Sequence, residues 1–363
     1  MNETNETKWL RTIGVDLHKC SMTIAVLDEL GQQFDEKEIP TKCRNQIRDF
    51  FSSYGLQAQV AVESVGFYHW FWNLVRPLVG KMILANPTAL APFRGRKAKT
   101  DRKDARLIAE LLFQGRLPTA FVPSESIRTL RELLRHRHSL ARALATERRH
   151  LGWIGLKNNL TGPTSWTSDR AQKWLLAQED KLSPAHRFAA RQRLDHIVRL
   201  QRDVLDAERL VAQTSQSDPA LLRQAALLQS VPGIGWLTAM TILVETGELT
   251  RFDHPDPLSA FAGLVPRVWQ SGQSEAHGHI SKAGPPVLRW VLQQAAWAAI
   301  HHSERIRAKW VRLSKRAGSQ RAALAIARQL LIYAWSVARR GEPFHWPDQP
   351  VPAEEAGRWS YEI

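Results

Sequence analysis

The sequence predicts an α/β domain followed by a longer, mainly helical region. Across residues 11–86, short β-branched runs alternate with helical patterns, which is typical of an α/β sheet. From Ser124 onwards, apolar residues recur at spacings near three, four or seven, which is typical of long amphipathic helices. The 363 residues suffice for two or three domains. We place these at residues 1–123, 124–222 and 223–340, with a flexible, Pro- and acid-rich tail at 341–363.

The N-terminal region is predicted to hold a series of short strands and helices. Arg11–Cys20 and Ser21–Asp28 are β-branched runs separated by a tight turn, so we expect two strands there. Gln33–Ile39 is expected to add a third strand. The following elements are expected as a helix at Thr41–Tyr54, a strand at Ala58–Gly66, a helix at Phe67–Val79 and a strand at Lys81–Asn86, which Pro87 closes.

Four acidic residues in this region are candidate metal ligands. Asp16 and Glu63 lie in otherwise apolar strands, where an unpaired carboxylate costs several kcal/mol or takes up a proton. Asp101 and Asp104 are three residues apart, so on a helix they project from one face. Oxygen-only ligands suit Mg²⁺ or Mn²⁺, and two such ions roughly 4 Å apart would serve a phosphodiester reaction. Taken singly, each acid is equally well a strand-end cap or a surface residue.

The charge of the chain is strongly basic and clustered. Lys plus Arg number 50 against 35 acids, a balance of +15. Arg94–Arg116, Arg128–His150 and His301–Arg321 hold most of the excess, and clustering indicates a polyanionic partner such as nucleic acid rather than solubility charge. From the first two segments, the candidate nucleic-acid contacts are Arg94, Arg96, Lys97, Lys99, Arg102, Lys103, Arg128, Arg131 and Arg135.

Cysteine content and hydropathy favour a soluble, cytoplasmic protein. With only Cys20 and Cys43, the sequence excludes a disulfide framework and a Cys-rich zinc site. The first residues lack the pattern of a signal peptide. The most apolar long window, Ala322–Ala338, is interrupted by Arg328 and Gln329, so we expect a buried amphipathic helix and no membrane partner.

The middle of the chain is predicted to form two long helical arms. Thr161–Ser165 is the turn-rich break between them. The first arm carries many arginines, so it could bind nucleic acid or serve as a charged dimerisation helix, and both alternatives stay open. The apolar positions that predict the arms are Ile127, Leu130, Leu134, Leu140, Leu144 and Leu151, then Leu194, Ile197, Val204 and Val211.

The C-terminal region contains a short glycine turn and a serine-containing loop. Gly233 and Gly235 lie in Val231–Gly235, directly before a helix expected from Trp236 to Glu245. Such a turn exposes backbone N–H groups that can hold a phosphate, as in helix-hairpin-helix elements. Ser271 lies in the loop Gln270–Ser274, and on local grounds a Ser-Gly pair is more simply a turn.

Taken in order, these segments resemble one known family. The chain is similar to the DEDD-type insertion-sequence transposases of the one-hundred-and-ten family, which are bridge-RNA-guided serine recombinases. The segments that carry the resemblance are Gly14–Lys19, Val62–Tyr68, Asn86–Pro87 with Lys99–Ala105, Val231–Gly235, Gly263–Pro266 and Gln270–Gly272.

The resemblance implies a fold and a chemistry. The fold would be an N-terminal RNase H-like (RuvC-like) domain, a helical coiled-coil insertion and a C-terminal, mainly helical transposase domain. The four acids would bind Mg²⁺ or Mn²⁺, and Ser271 would join covalently to DNA. Independently of the resemblance, the nearby basic residues Arg267, Lys282 and Arg289 are candidates to hold the phosphate. A structured bridge RNA would pair with donor and target DNA. The protein would be a homo-oligomer, dimer or tetramer, in a bacterial or archaeal cytoplasm and nucleoid-associated when bound to DNA.

The sequence departs from the family pattern in two places, and two other functions remain as alternatives. Gln273 follows Gly272 where the family commonly has a second glycine, and Ser274 offers another hydroxyl. Glu63 is followed by Ser64 and Val65 in place of Ala-Thr.

A hydrolytic, junction-resolving nuclease would use the acids without the serine. A non-catalytic nucleic-acid-binding scaffold would have no use for four acids, and all four are present.

Overall fold

The computed structural model describes residues 9–94, 100–271 and 274–346, and for residues 267–271 and 274–278 it describes the backbone alone. The chain forms two compact units, one ending at Val122 and the other starting at Pro123. The first contains a mixed five-stranded sheet and the second is mainly helical, so the predicted order of an α/β region followed by helices is confirmed. In the described part of the chain, no helix combines the length and the apolar character needed to cross a bilayer.

The sheet of the first unit is built from the five predicted strands. These are β1 (Arg11–Leu17), β2 (Ser21–Leu27), β3 (Gln33–Pro40), β4 (Ala58–Glu63) and β5 (Lys81–Ala85). Their order across the sheet is β3-β2-β1-β4-β5. β2 is antiparallel to both of its neighbours, whereas β1, β4 and β5 run parallel. The carboxyl ends of β1 and β4 therefore meet at one edge of the sheet.

Helices cover both faces of this sheet. They are α1 (Arg44–Tyr54), α2 (His69–Val75), α3 (Pro87–Leu90) and α4 (Asp101–Phe113). α1 and α2 pack their apolar side chains on one face, and α4 lies on the opposite face against Ala25, Ala61 and Leu27. β4 and α2 are shorter than predicted, since β4 ends at Glu63 and a 3₁₀ turn at Arg76–Leu78 replaces the end of α2.

The second unit contains nine helices among the residues that the structure describes. Two of them are long and lie side by side, with Leu151 and Ile154 of the first packing in one apolar cluster with Ile197 and Val204 of the second. These are the two arms that the leucine spacing predicts. The helices are α5 (Glu125–Lys157), α6 (Ser168–Gln178), α7 (Pro184–Ser215), α8 (Pro219–Gln229), α9 (Trp236–Thr246), α10 (Pro255–Phe261), α11 (Pro286–His302), α12 (Glu304–Ala317) and α13 (Ser319–Arg340).

The first turns of α5 differ from the rest of the arm in their packing. Ile127, Leu130 and Leu134 belong to the same apolar core as α8, α9, α11 and α13, whereas Leu144 and Leu151 pack against α7 and α6. The base of the arm is therefore part of the helical core of this unit. Helix α6, between the arms, was not predicted.

Two C-terminal segments differ from the sequence predictions. The loop expected at Gln270–Ser274 is the end of a β-hairpin, in which β6 (Pro266–Ser271) pairs with β7 (Ser274–Ile280). The predicted tail from Gly341 begins against the core, because the rings of Phe344 and Trp346 pack on Tyr333. The rest of that tail, residues 347–363, lies outside the described residues.

Candidate metal and catalytic centre

β1 and β4 place two carboxylates side by side. In the parallel register Val15 pairs with Val62, so Asp16 and Glu63 follow as neighbours at the ends of their strands. Because side chains alternate between the faces of a sheet, both acids lie on the same face, the one that α4 covers. Asp16 is only 4% exposed and Glu63 only 7%. Two carboxylates are thus buried next to each other.

α4 brings the other two acids to the same place because Gly14 has no side chain. A Cβ on Gly14 would lie 2.2 Å from the carbonyl oxygen of Ala105, so only glycine allows α4 to approach β1 this closely. Thr100 caps α4 by accepting a hydrogen bond from the N–H of Lys103. The first turn then presents Asp104, 5% exposed, to the sheet, and leaves Asp101 exposed.

Two basic side chains connect the four acids in pairs. His18 Nε2 lies 3.1 Å from Asp16 Oδ2 and 3.3 Å from Asp101 Oδ1. Arg94 Nη2 lies 2.5 Å from Glu63 Oε2, and Arg94 Nε lies 3.5 Å from Asp104 Oδ1. The structure therefore gathers the four predicted acids at one edge of the sheet, although they are far apart in sequence.

Sequence reasoning missed His18 and assigned Arg94 a different role. A histidine two residues after Asp16, in the turn between β1 and β2, was the available signal for His18. Arg94 was a candidate nucleic-acid contact because it begins a basic segment. Its guanidinium is instead mostly buried and paired with Glu63 and Asp104, so the structure gives it an internal role.

The electrostatics of the site favour a bound cation. Burial raises the pKa of Asp16 above its usual range; His18 acts in the opposite direction, and the nearby carboxylates of Asp104 and Asp101 raise the pKa further. A divalent ion would relieve this penalty. Asp16, His18 and Asp101 each offer one ligand atom, and those three atoms lie within 4.8 Å of one another. Two carboxylates and an imidazole can hold a divalent cation, and the carboxylate oxygens of Asp16 and Asp101 are the ligands that Mg²⁺ and Mn²⁺ prefer.

Replacing Asp16 with asparagine should stabilise the metal-free protein. The pKa of Asp16 is raised in the folded state, so the folded protein holds this proton more tightly than the unfolded chain does. The free energy of unfolding therefore falls as the pH rises through that pKa. In the presence of a chelator, Asp16→Asn should raise Tm at neutral pH, and the difference should vanish in acid, where Asp16 is itself neutral. Thermal melts across this pH range measure it.

The exposed Asp49 on α1 provides the control for this experiment, because its neutralisation should leave Tm nearly unchanged. A lower Tm for Asp16→Asn at neutral pH would contradict the prediction.

Arg131 and Arg135, two of the predicted nucleic-acid contacts, are paired within the second unit. Arg135 forms a two-pronged ion pair with Glu245, with distances of 2.8 and 2.9 Å. Arg131 donates two hydrogen bonds to the carbonyl oxygen of Val244, at the end of α9. The Glu245 side chain is 1% exposed, so both arginines stabilise a buried charge and a helix end. This geometry favours a structural role for both.

Replacing Arg135 with alanine should lower the free energy of unfolding by about 2–3 kcal/mol, because it leaves the Glu245 carboxylate buried with poorer compensation. This loss is smaller than the roughly 3–5 kcal/mol that breaking a buried ion pair usually costs, since Arg131 stays 4.0 Å from Glu245. Arg142→Ala, at an exposed position of α5, is the matched control. Urea titrations measure the difference, and a variant as stable as Arg142→Ala would contradict the structural role.

The remaining predicted basic contacts are placed as follows. Arg102 and Lys103 are exposed on the first turn of α4, and Arg102 pairs with Glu36 at 3.0 Å. Arg128 is partly exposed on α5, and Lys282 is exposed after β7. Arg289 donates to the carbonyl oxygens of Ala262, Ala283 and Gly284, so it fixes the loop ahead of α11. Arg96, Lys97 and Lys99, and the side chains of Arg267 and Ser271, lie outside the described residues.

The glycine turn before α9 has two different halves. Gly233 has a φ of 83°, and a Cβ there would lie 2.4 Å from the carbonyl oxygen of Ala295 in α11. Gly233 is therefore needed for helix packing. Gly235 is the N-cap of α9, and a Cβ there would meet nothing within 4 Å. Of the two, Gly235 is the one at an open helix N-terminus, where a phosphate could bind.

The sequence matches family profiles over both units. Residues 13–152, which include all four acids, match the profile of DEDD transposases of the IS110 type. Residues 225–311, which include the glycine turn and the β-hairpin, match the profile described as the transposase IS116/IS110/IS902 family.

Several named proteins are similar over most of the chain. A putative transposase of Sinorhizobium fredii is 28% identical, covering 74% of this chain and 72% of its own. The transposase for insertion sequence element IS1111A of Coxiella burnetii is 26% identical, with 93% and 92% covered. A pilin gene-inverting protein of Moraxella bovis is 27% identical, with 73% and 74% covered. Together with the two profiles and the convergence of the acids, these similarities show that the chain belongs to the IS110-type family of DEDD transposases and is a DNA transposase or recombinase.

Proposed function

We propose that this enzyme excises and inserts an insertion sequence by metal-dependent, serine-mediated strand exchange between donor and target DNA. The observation that carries the proposal is the convergence of Asp16, Glu63, Asp101 and Asp104 at one edge of the sheet. Strand order and directions agree with an RNase H-like domain, in which such an edge holds the catalytic acids. The metal ion is proposed to be Mg²⁺ or Mn²⁺.

In this proposal the acidic residues bind the metal ion, and Ser271 attacks the phosphodiester. A bound divalent ion supplies Lewis-acid polarisation of a phosphodiester and of an attacking hydroxyl. Asp16 and Asp101, with His18, are positioned to hold it, and the buried carboxylates set the local negative charge. Exposed Lys282 could hold the phosphate, whereas Arg289 is committed to three carbonyl oxygens.

Ser271 is proposed as the nucleophile. Attack of its hydroxyl oxygen on phosphorus forms one P–O bond and breaks another, and the proton passes to a base or to solvent. The DNA is then held as a phosphoserine ester, and the leaving strand ends in a free hydroxyl. Attack by a hydroxyl of another strand reverses the step, so rejoining needs no ATP. The name of the Moraxella relative supports rejoining over hydrolysis, because inversion of a gene requires that cut ends be joined again.

A structured bridge RNA is proposed to choose the donor and target sites. Arg131 and Arg135 of α5 are paired within the protein. Other basic residues of this arm, including Arg142, Arg149 and His150, are exposed and form a basic surface. Exposed Trp153 and Phe188 near one end of the arms would suit assembly into a dimer or tetramer.

The proposal is tested with a plasmid that carries the element's own ends. Strand exchange should be lost after RNase treatment and removal of RNA, and it should return when RNA transcribed from the element is added back. RNA binding should weaken steeply with salt, because neutralised phosphates carry most of the affinity. Exchange that continues undiminished without RNA would contradict guided recognition. The acidic site has its own test: strand exchange should be lost in the presence of a chelator and should recover when Mg²⁺ is added.

A further inference from the structure

The acidic site has two halves, and a different basic side chain spans each half. His18 lies between Asp16 and Asp101, and Arg94 lies between Glu63 and Asp104. A neutral imidazole has a lone pair with which to bind a metal ion. A guanidinium has only donors and is always charged, so it cannot be a ligand. The two halves therefore have different capacities for a metal ion.

Arg94 uses the carboxylate oxygens that a metal ion would need. Its Nη2 lies 2.5 Å from Glu63 Oε2, and its Nε lies 3.5 Å from Asp104 Oδ1. The side chains of Glu63 and Asp104 are only 10% and 7% exposed. In so confined a place, a guanidinium and a divalent ion compete for the same oxygen atoms. The hydrogen bond to Glu63 also raises the pKa of Arg94, as expected for a charge held by its partner.

The chain leading to Arg94 is fixed by the fold. After β5, the Asn86 side chain accepts hydrogen bonds from the N–H groups of Thr88 and Ala89, which starts α3 at Pro87. Leu90 of α3 is fully buried, and a 3₁₀ turn at Ala91–Phe93 directly precedes Arg94. A short, anchored segment that starts at the end of the edge strand β5 thus places the guanidinium beside the acids.

We propose that Arg94 is the resident cation of the Glu63–Asp104 half, so that the enzyme binds one divalent ion, at Asp16, His18 and Asp101, in place of two. This inference rests on the proposed function, because it assumes that the acids bind a divalent ion at all. The remaining N–H groups of Arg94 would be available to a phosphoryl oxygen, a contact that a guanidinium makes with defined geometry. Arg94 would then provide the second positive charge that a two-ion site obtains from metal.

The experiment counts ions bound by the full chain, freed of nucleic acid and metal and titrated with Mn²⁺ by calorimetry and by electron paramagnetic resonance. Wild type should bind one ion, and Arg94→Gln should bind two, with a spectrum of coupled spins. Arg106→Gln is the matched control. It makes the same substitution at an arginine of α4 that pairs with Glu110 and not with the four acids. This control should bind one ion.

Two further variants test the inference should Arg94→Gln fold poorly. Glu63→Gln in the wild-type background should keep its single ion, because Glu63 is committed to Arg94. Asp101→Asn should weaken Mn²⁺ binding by about tenfold or more. Two ions in wild type, one ion in folded Arg94→Gln, or loss of the ion in Glu63→Gln would overturn the role of Arg94. No ion in wild type would instead contradict the metal site of the proposed function.

Discussion

Replacing Asp104 with asparagine is expected to reduce DNA strand cleavage by about a thousandfold, the scale of losing one electrostatic contribution at a preorganised site. Asp104 is buried in the first turn of α4, and Gly14 lets that helix lie close enough to β1 to place it beside the other acids. Asparagine keeps the shape but removes one negative charge and the pairing with Arg94. DNA affinity should change less than about threefold, because the phosphate contacts are proposed to come from exposed Lys and Arg residues and not from Asp104.

Single-turnover cleavage of end-labelled DNA, measured beside a gel-shift assay at the same salt concentration, separates the two effects. Glu110→Gln is the control, since it neutralises an exposed acid on the same helix that pairs with Arg106 at 2.8 Å. It should cleave at nearly the wild-type rate. An Asp104→Asn enzyme that keeps cleavage within about tenfold of wild type, with unchanged binding, would remove Asp104 from the catalytic site.

If Ser271 is the nucleophile, as proposed above, replacing it with alanine should eliminate the covalent protein–DNA adduct and reduce strand exchange by about 10⁴-fold or more, because the proposed attacking oxygen is removed. Ser271 ends β6, and in the register of the hairpin it is paired with Ser274, the first residue of β7. Two serines therefore stand opposite each other at the end of one hairpin. Since the family pattern points to the first of them, Ser274→Ala is the matched control and should retain the adduct.

Reactions on labelled DNA, trapped and digested with protease, identify the residue that carries the phosphate. A phosphoserine peptide containing residue 271 is the expected product. An adduct that persists in Ser271→Ala and disappears in Ser274→Ala would transfer the nucleophilic role to Ser274. If the unmodified enzyme forms no adduct, while strands are still cut, the acidic site acts alone and the hydrolytic nuclease is the better description.

The fit between sequence and structure is closest where the information is local. The strands at residues 11–40, α4 and the arms α5 and α7 follow from side-chain periodicity, which depends only on neighbours along the chain. The three-residue spacing of Asp101 and Asp104 likewise depends only on local geometry, since on a helix it places both acids on one face. The β-hairpin of β6 and β7 was missed because glycine and serine dominate the local signal there, and its pairing depends on strand contacts that no local pattern displays.

The sequence by itself determined that an α/β region precedes a helical one, which four acids are the candidate ligands, and the family to which the chain belongs. Only the tertiary structure decided what each charge is paired with. Arg94 and Glu63 are 31 residues apart, and Arg135 and Glu245 are 110 apart, so neither pair has a signature in the sequence. The identity of a basic residue in the sequence does not reveal whether its side chain contacts a phosphate or a buried carboxylate. The difference arises from packing, because burial raises the energy of an uncompensated charge until a distant partner is brought within reach.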